Sequence, residues 1–269
     1  MTNILKSLKT LSAVAALTLA STAAASAMAV EEVVAKANAV AYYKGDDGKA
    51  KVNMVITDAQ GRERTRAFTI LRKDKDIGAD EGDQFFYVHF AKPADVNKTS
   101  FLVWKHIETD DDRWLYLPAL DLVKRIAASD KRSSFVGSHF FYEDVSGRNP
   151  ALDTHVLESE SETYYVLKSE PKDAGSVEFA SYTSYIHKAT FLPVKIEYTN
   201  DAGELYRTYE ALGVETIDGH PTVTASKMTD HKLGGFTSMT YEGVEYDVGL
   251  EQDTFTERFL RNPPRRLLR

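Results

Sequence analysis

Most of the chain consists of short segments in which apolar and polar residues alternate. They run from Lys51 to Tyr246 and are separated by clusters of Asp, Asn and Gly. Successive side chains of a strand point to opposite faces, so a two-residue period predicts strands with one buried face. Evenly spaced strands joined by short turns are typical of one large antiparallel sheet, curled or closed. This pattern constrains the fold more than any other feature of the sequence.

The strand-like segments share this alternation and end at turn residues or at proline. They are Lys51–Thr57, Arg64–Leu71, Gln84–Phe90, Phe101–Trp104, Trp114–Leu117, Leu122–Ile126, His155–Ser159, Thr163–Lys168, Val177–His187, Leu192–Thr199, Leu205–Val214, Val223–Met228 and Phe236–Tyr246. Gln84–Phe90 is apolar on both faces, which predicts a strand inside the sheet under a covering layer. The fold class predicted is mainly β, of the α+β type.

One segment has a clear helical pattern. Val33, Val34 and Ala37 recur at the spacing of one helix face within Val30–Tyr43. A shorter helix is expected at Thr254–Leu260. Neither an internal repeat nor a low-complexity linker divides the chain, so we predict a single domain over residues 30–269.

The first 29 residues have the pattern of a secretory signal peptide. Lys6 and Lys9 precede an apolar run, Leu11–Ala20, and Ala27-Met28-Ala29 matches a cleavage site. We expect cleavage after Ala29 and a location in the periplasm. The sequence contains no cysteine, which excludes both a disulfide and a lipid-anchored amino-terminal cysteine.

The charge of the chain excludes some partners. Loss of the first 29 residues, which carry two Lys and no acid, changes the formal charge from −7 to −9. Nucleic-acid binding needs a basic face, so we expect none.

Three arginines lie around Pro263-Pro264 near the end of the sequence: Arg261, Arg265 and Arg266. They are either a solvated tail or a basic contact for a membrane surface or a partner protein.

A central stretch, Asp111–Asp144, combines three features. It contains an aromatic strand ending at Pro118, a second short strand, and an aromatic cluster around Gly137-Ser138. This much aromatic surface outside the regular strands either fills a core or covers an apolar site.

These residues carry a resemblance. The motif W-L-Y-L-P-A-L-x-x-V-K-R-I, from Trp114 to Ile126, is followed by S-F-V-G-S-x-F-x-Y-E-D, from Ser134 to Asp144. Together they resemble the outer membrane lipoprotein-sorting protein family, relatives of the LolA and LolB carriers. The likeness extends over most of the mature chain, but His139 stands where the family usually has Asp.

The resemblance implies an open half-barrel of about 11 strands with helices covering its concave face. It also implies a periplasmic carrier or chaperone that binds a lipid or lipoprotein acyl chain in an apolar cavity. We expect a monomer without cofactors, metal or catalytic residues, which works beside an inner-membrane transporter of the resistance-nodulation-division type. The residues expected in the cavity or its lid are aromatic or aliphatic: Phe86, Val88, Trp104, Trp114, Tyr116, Phe135, Phe140, Phe141 and Tyr142.

Two other functions remain open at this point. The aromatic residues could all be core, in which case the protein would be a ligand-free accessory subunit of an envelope complex. An enzyme acting on lipid or glycan could use His139, Glu143 and Asp144. None of the common hydrolase, nucleotide-binding or metalloprotease motifs occurs.

Overall fold

The computed structural model describes residues 28–268. Nearly all of the predicted signal peptide therefore lies outside the described residues. The helices are α1 (Val30–Tyr42), α2 (Tyr142–Ser146) and α3 (Glu257–Arg261). The strands are β1 (Asp47–Asp58), β2 (Glu63–Asp74), β3 (Gln84–Lys92), β4 (Ser100–Lys105), β5 (Asp112–Leu117), β6 (Leu122–Ile126), β7 (Asp153–Glu160), β8 (Tyr164–Pro171), β9 (Ser181–His187), β10 (Pro193–Thr199), β11 (Leu205–Ile217), β12 (His220–Asp230) and β13 (Gly235–Tyr246).

All of these strands belong to one antiparallel sheet. Its order is β6-β5-β4-β3-β2-β1-β13-β12-β11-β10-β9-β8-β7. The sheet has 13 strands, more than the roughly 11 predicted. Every alternating segment joins the sheet, including the short β6 at its edge, because ladder hydrogen bonds hold even a strand that buries little apolar surface.

The two edge strands of the sheet, β6 and β7, are consecutive in the chain. Residues 127–152, which we call the crossover segment, connect them. Every other pair of consecutive strands is hydrogen-bonded, and β1 pairs with β13 to join the two halves of the sheet. The crossover segment must therefore pass from one edge of the sheet to the other across one of its faces.

The hairpin between β1 and β2 shows how the sequence sets such a turn. Gly61 has a φ of +78°, a left-handed conformation that glycine adopts without a steric penalty. The Asp58 carboxylate accepts hydrogen bonds from the backbone N–H groups of Gln60 and Arg62, at 2.9 and 3.0 Å. The side chain of Asp58 thus satisfies backbone groups that the turn leaves without strand partners.

Both faces of β3 are buried, as the sequence predicts. Phe86, Val88 and Phe90 pack in one apolar cluster with the crossover segment. Phe85 and Tyr87 pack in a second cluster on the other face, with residues close to the C-terminus. The sheet therefore has a covered face on each side in this region.

Residues 248–268 form the cover of the second face. Leu250, Phe255 and Leu260 are 3%, 1% and 0% exposed and pack on strands β2 to β5. The hydroxyl of Tyr87 donates to the backbone oxygen of Phe259 at 2.7 Å. The prediction that the helices cover the concave face is therefore wrong for α3, which lies on the opposite side of the sheet.

Helix α1 packs on the face that the crossover segment also covers. Val33 and Ala37, one turn apart, are buried against Leu167 of β8 and Ile186 of β9. Val34 packs beside them. The predicted apolar face of this helix is thus confirmed. No helix within residues 28–268 is both long and apolar enough to cross a membrane.

The packing of the C-terminal cover leads to a stability prediction. Phe255 stacks on Phe85 with ring centroids 5.9 Å apart. We expect Phe255→Ala to lower the free energy of unfolding by about 3–5 kcal/mol, because it leaves a cavity under the cover. Urea unfolding of the variant measures this loss. Gln252→Ala, at an exposed position of the same segment, is the control and should change stability by less than about 0.5 kcal/mol.

Candidate functional site

A cavity of about 420 Å³ lies between the sheet, α1 and the crossover segment. Its walls include Val88 of β3 at one side and Leu167 of β8 at the other. Since strands this far apart in the sheet order line one cavity, the sheet curves around it, and this face is the concave one. The volume is within the range of small-molecule sites, about 300–1,000 Å³.

Four of the predicted ligand residues line this cavity. Phe86 and Val88 contribute from β3, and Phe135 and Phe140 contribute from the crossover segment. Tyr142 packs in the same apolar cluster without forming the cavity wall. The sequence therefore predicted the strand and the covering segment that meet here, and a role in ligand binding for these residues stays a prediction.

Three other predicted residues lie elsewhere. Trp104, Trp114 and Tyr116 pack on the convex face, beneath the C-terminal cover. The indole N–H of Trp104 donates to the backbone oxygen of Phe255 at 2.7 Å. Strands β4 and β5 are apolar on both faces, so alternation alone could not tell which face would be concave.

Aromatic side chains fix the crossover segment to the sheet. Phe135 is 1% exposed, and its ring centroid lies 5.5 Å from that of Phe101 and 5.8 Å from that of Phe90. Phe140 and Tyr142 are also buried. The segment is thus part of the core, and a charge introduced at Phe140 would be buried without a partner.

A buried network of ion pairs holds the second half of the crossover segment. Arg132 contacts Glu143 at 3.1 Å and Glu178, just before β9, at 2.6 Å. Arg207 of β11 pairs with Asp144 and stacks on Phe141, with its guanidinium carbon 3.9 Å from the ring centroid. Such contacts are favourable in a buried site only when each charge has a partner.

Glycine allows the crossover segment to approach α1 closely. Gly147 follows α2 with a φ of +76°. A Cβ atom at this position would lie 2.3 Å from the ring of Tyr42, well inside van der Waals contact. The two elements that close the cavity are therefore in direct contact where α1 ends.

Six tyrosines line the cavity, and four of them come from α1, β10, β11 and β13: Tyr42, Tyr198, Tyr209 and Tyr241. Burial raises the pKa of each hydroxyl above its ordinary value. Each nevertheless keeps a partly accessible surface, which faces the cavity and not bulk solvent. Among residues 28–268, the hydroxyls of Tyr42 and Tyr198 make no side-chain hydrogen bond, whereas the Tyr209 hydroxyl lies near that of Ser226. These hydroxyls add polar groups to a wall that also contains charged side chains, such as Arg72 and Arg132.

Lys44 is the cavity residue with an unpaired charge. It follows α1 and lines the cavity beside Arg72 of β2. Burial, together with the charge of Arg72, lowers the pKa of Lys44 to about 8, so its ammonium group remains mostly protonated at neutral pH. Within the described part of the chain, no carboxylate lies within 4.0 Å of this ammonium. Arg72, in contrast, pairs with Asp74 at 2.8 Å.

The three residues considered for catalysis are all engaged in contacts within the protein. His139 precedes α2, and its ring nitrogen Nδ1 lies 2.7 Å from the hydroxyl of Thr237. Glu143 is 3% exposed among basic side chains. Asp144 accepts a hydrogen bond from the backbone N–H of Phe141 at 2.6 Å, which fixes the start of α2. The helix does not place His139 and Glu143 on one face.

The C-terminal arginines differ in their contacts. Arg261 pairs with Asp121 at 3.1 Å, and its guanidinium lies over the ring of Tyr116. Arg265 and Arg266 are exposed.

No cluster of three or more metal-ligating side chains occurs in residues 28–268.

The sequence missed the polar residues of the cavity. Tyr198 had a usable signal, since it lies on the apolar face predicted for Leu192–Thr199. Lys44 and Arg72 had none, because a lysine after a helix and an arginine in a strand are usually solvated. Only the curvature of the sheet encloses them.

Similarity to known proteins extends over most of the chain. A family model described as "Uncharacterized protein" matches residues 82–262. No curated protein sequence matches the chain. The chain is similar in structure to a DUF1329 family protein from Desulfovibrio piger, with 29% identity and a TM-score of 0.76 over 85% of this chain and 97% of the other.

Two further solved structures are similar. A domain from Vibrio parahaemolyticus named for outer membrane lipoprotein sorting has 27% identity and a TM-score of 0.76, over 86% of this chain and 97% of the other. A LolA superfamily protein from Nitrosomonas europaea, at 20% identity, has a TM-score of 0.67 over 87% of this chain and 100% of the other, which shows the shared fold. The chain thus belongs to the family that this model describes, and it shares its fold with LolA-like and lipoprotein-sorting domain proteins of known structure.

Proposed function

We propose that the protein is a periplasmic carrier that holds the acyl part of a lipid or lipoprotein in its cavity during transfer across the envelope. The observation that carries this proposal is the cavity itself, enclosed by the concave sheet, α1 and the crossover segment. A core made only for stability would be close-packed, with few voids larger than a water molecule.

The mechanism is sequestration without bond-making chemistry. Each methylene group of an acyl chain that leaves water for the cavity contributes about 0.8 kcal/mol. A chain of several methylenes is then held strongly without any covalent link. Met228 and Met239 in the wall are flexible side chains that adapt to ligands of different shape.

Release requires movement of a covering element. Helix α1 is the simpler candidate, because its packing on the sheet rests on Val33, Ala37 and the apolar residues around these two. The crossover segment is fixed by both aromatic packing and buried ion pairs. We therefore assign the movable cover to α1 and the fixed cover to the crossover segment.

We propose that the carrier works beside an inner-membrane transporter, in keeping with the resemblance of the sequence to lipoprotein-sorting proteins. Arg265 and Arg266 are exposed and available for a transporter or a membrane surface, whereas Arg261 is already paired.

A ligand-free accessory subunit is the second candidate. It is favoured by the exposed apolar side chains Leu212 and Val214 on β11, which are 57% and 44% exposed.

The carrier proposal predicts that the protein retains its cargo during purification. The test is native mass spectrometry of protein taken from the periplasm without detergent, followed by solvent extraction. We expect a discrete added mass that extracts as an acylated molecule. A ligand-free mass, with no change on adding acyl probes and a stable partner protein in pull-downs, would instead support the accessory subunit.

Filling the cavity should weaken binding without unfolding the protein. Ala41 of α1 lines the cavity, so Ala41→Phe places a ring where the acyl chain would lie. Displacing about two methylenes costs about 1.6 kcal/mol, or roughly 15-fold in affinity. Titration of a neutral fluorescent acyl probe measures the change.

The same substitution on the outer side of α1 is the matched control. Ala35 is exposed and does not line the cavity, so Ala35→Phe should bind the probe as the unmodified protein does. Equal affinity in both variants would contradict the assignment of this cavity as the binding site.

A further inference from the structure

The wall of the cavity along β2 is aromatic at one end and cationic at the other. Phe68, Ile70 and Arg72 lie on the same face of β2 and all line the cavity. Four residues at about 3.3 Å per residue separate Phe68 from Arg72 by about 13 Å. Phe135 packs beside Phe68, and Lys44 lies beside Arg72. Along this wall the environment therefore changes from aromatic to cationic.

Arg72 fixes the position of Lys44. Its guanidinium donates to the backbone oxygens of Tyr42, Lys44 and Gly45 at 2.7, 2.6 and 2.7 Å. The Asp74 carboxylate, in turn, accepts hydrogen bonds from both Arg72 and Gln84. The terminal nitrogens of Arg72 and its ion pair with Asp74 are thus used within the protein, whereas the ammonium of Lys44 has no carboxylate partner among the described residues.

An unpaired ammonium in an apolar cavity is unfavourable unless an anion joins it. Charged side chains are rarely buried without a partner, and desolvation works against the protonated form. The chain as a whole is acidic, with a formal charge of −7. An excess of basic residues therefore does not explain why a lysine without an anionic partner lies in the cavity. An anionic oxygen beside Lys44 would restore a charge-assisted hydrogen bond.

We propose that the ligand is an amphiphile with one anionic oxygen group, a carboxylate or a phosphate, which pairs with Lys44. Its acyl chain extends along β2 toward Phe68 and Phe135. This inference rests on the carrier function proposed above and adds to it the class of head group. A neutral lipid of the same chain length would fill the same wall but leave Lys44 unpaired.

The test compares ligands that differ only in the head group. Dodecanoate, dodecyl phosphate and dodecanol, below the concentrations at which they aggregate, compete with the neutral probe N-phenyl-1-naphthylamine for the purified protein. We expect at least one of the two anions to bind about tenfold or more tightly than the alcohol. The preferred anion distinguishes a fatty carboxylate from a phosphate head group.

Variants assign the preference to Lys44. Lys44→Met should remove the advantage of the anion while leaving dodecanol binding unchanged, and Lys44→Arg should retain it. Lys49→Met is the matched control, because Lys49 also lines the cavity but already pairs with Glu245 at 3.2 Å. That variant should keep the preference of the unmodified protein.

The outcomes separate this inference from the carrier function. Equal binding of anions and alcohol overturns the assignment of an anionic head group but supports an acyl carrier. A preference for anions that persists in Lys44→Met also overturns it, because another group must then bind the anion. Failure of all three ligands to displace the probe contradicts the carrier function itself.

Discussion

The fold depends on one topological constraint: the two edges of an open sheet are consecutive in the chain. Strands β6 and β7 lie at opposite ends of a 13-stranded sheet, so the crossover segment must span its concave face. A segment in that position brings its own backbone polar groups into the interior. It pairs them locally, as in the hydrogen bonds of Phe135 N–H to Phe140 O at 2.8 Å and of Tyr142 N–H to Ser133 O at 3.1 Å.

The same constraint explains why so many charges are buried. The crossover segment meets strands from both halves of the sheet, and Arg132 and Arg207 link it to the β9–β11 side. Removing one partner of a buried ion pair is strongly destabilising, because the other charge is left unpaired. These pairs therefore specify where the segment lies more than they add net stability. Apolar packing of Phe135, Phe140 and Tyr142 supplies the stabilising term.

Enclosure by this segment turns a sheet face into a cavity with a distinct chemical character. Its wall combines aromatic rings such as Phe68 and Phe135, several tyrosines, and the basic side chains of Lys44 and Arg72. A few polar groups in a mostly apolar wall are typical of sites that bind and orient small ligands. On the convex face, by contrast, residues 248–268 cover the apolar residues. The two apolar faces therefore differ: α1 and the crossover segment cover the concave one, and residues 248–268 cover the convex one.

The sequence by itself determined the strands, the first helix and the resemblance to lipoprotein-sorting proteins, because alternation with a period of two and the motifs from Trp114 to Asp144 are local signals. It also identified Phe86, Val88, Phe135 and Phe140, which the structure brings together. Tertiary structure alone decided which face is concave, because Trp104 and Trp114 lie in strands that are apolar on both sides. It also decided that Lys44 lies inside a cavity. Curvature and the path of the crossover segment arise from contacts between residues far apart in the chain, and no local pattern records them.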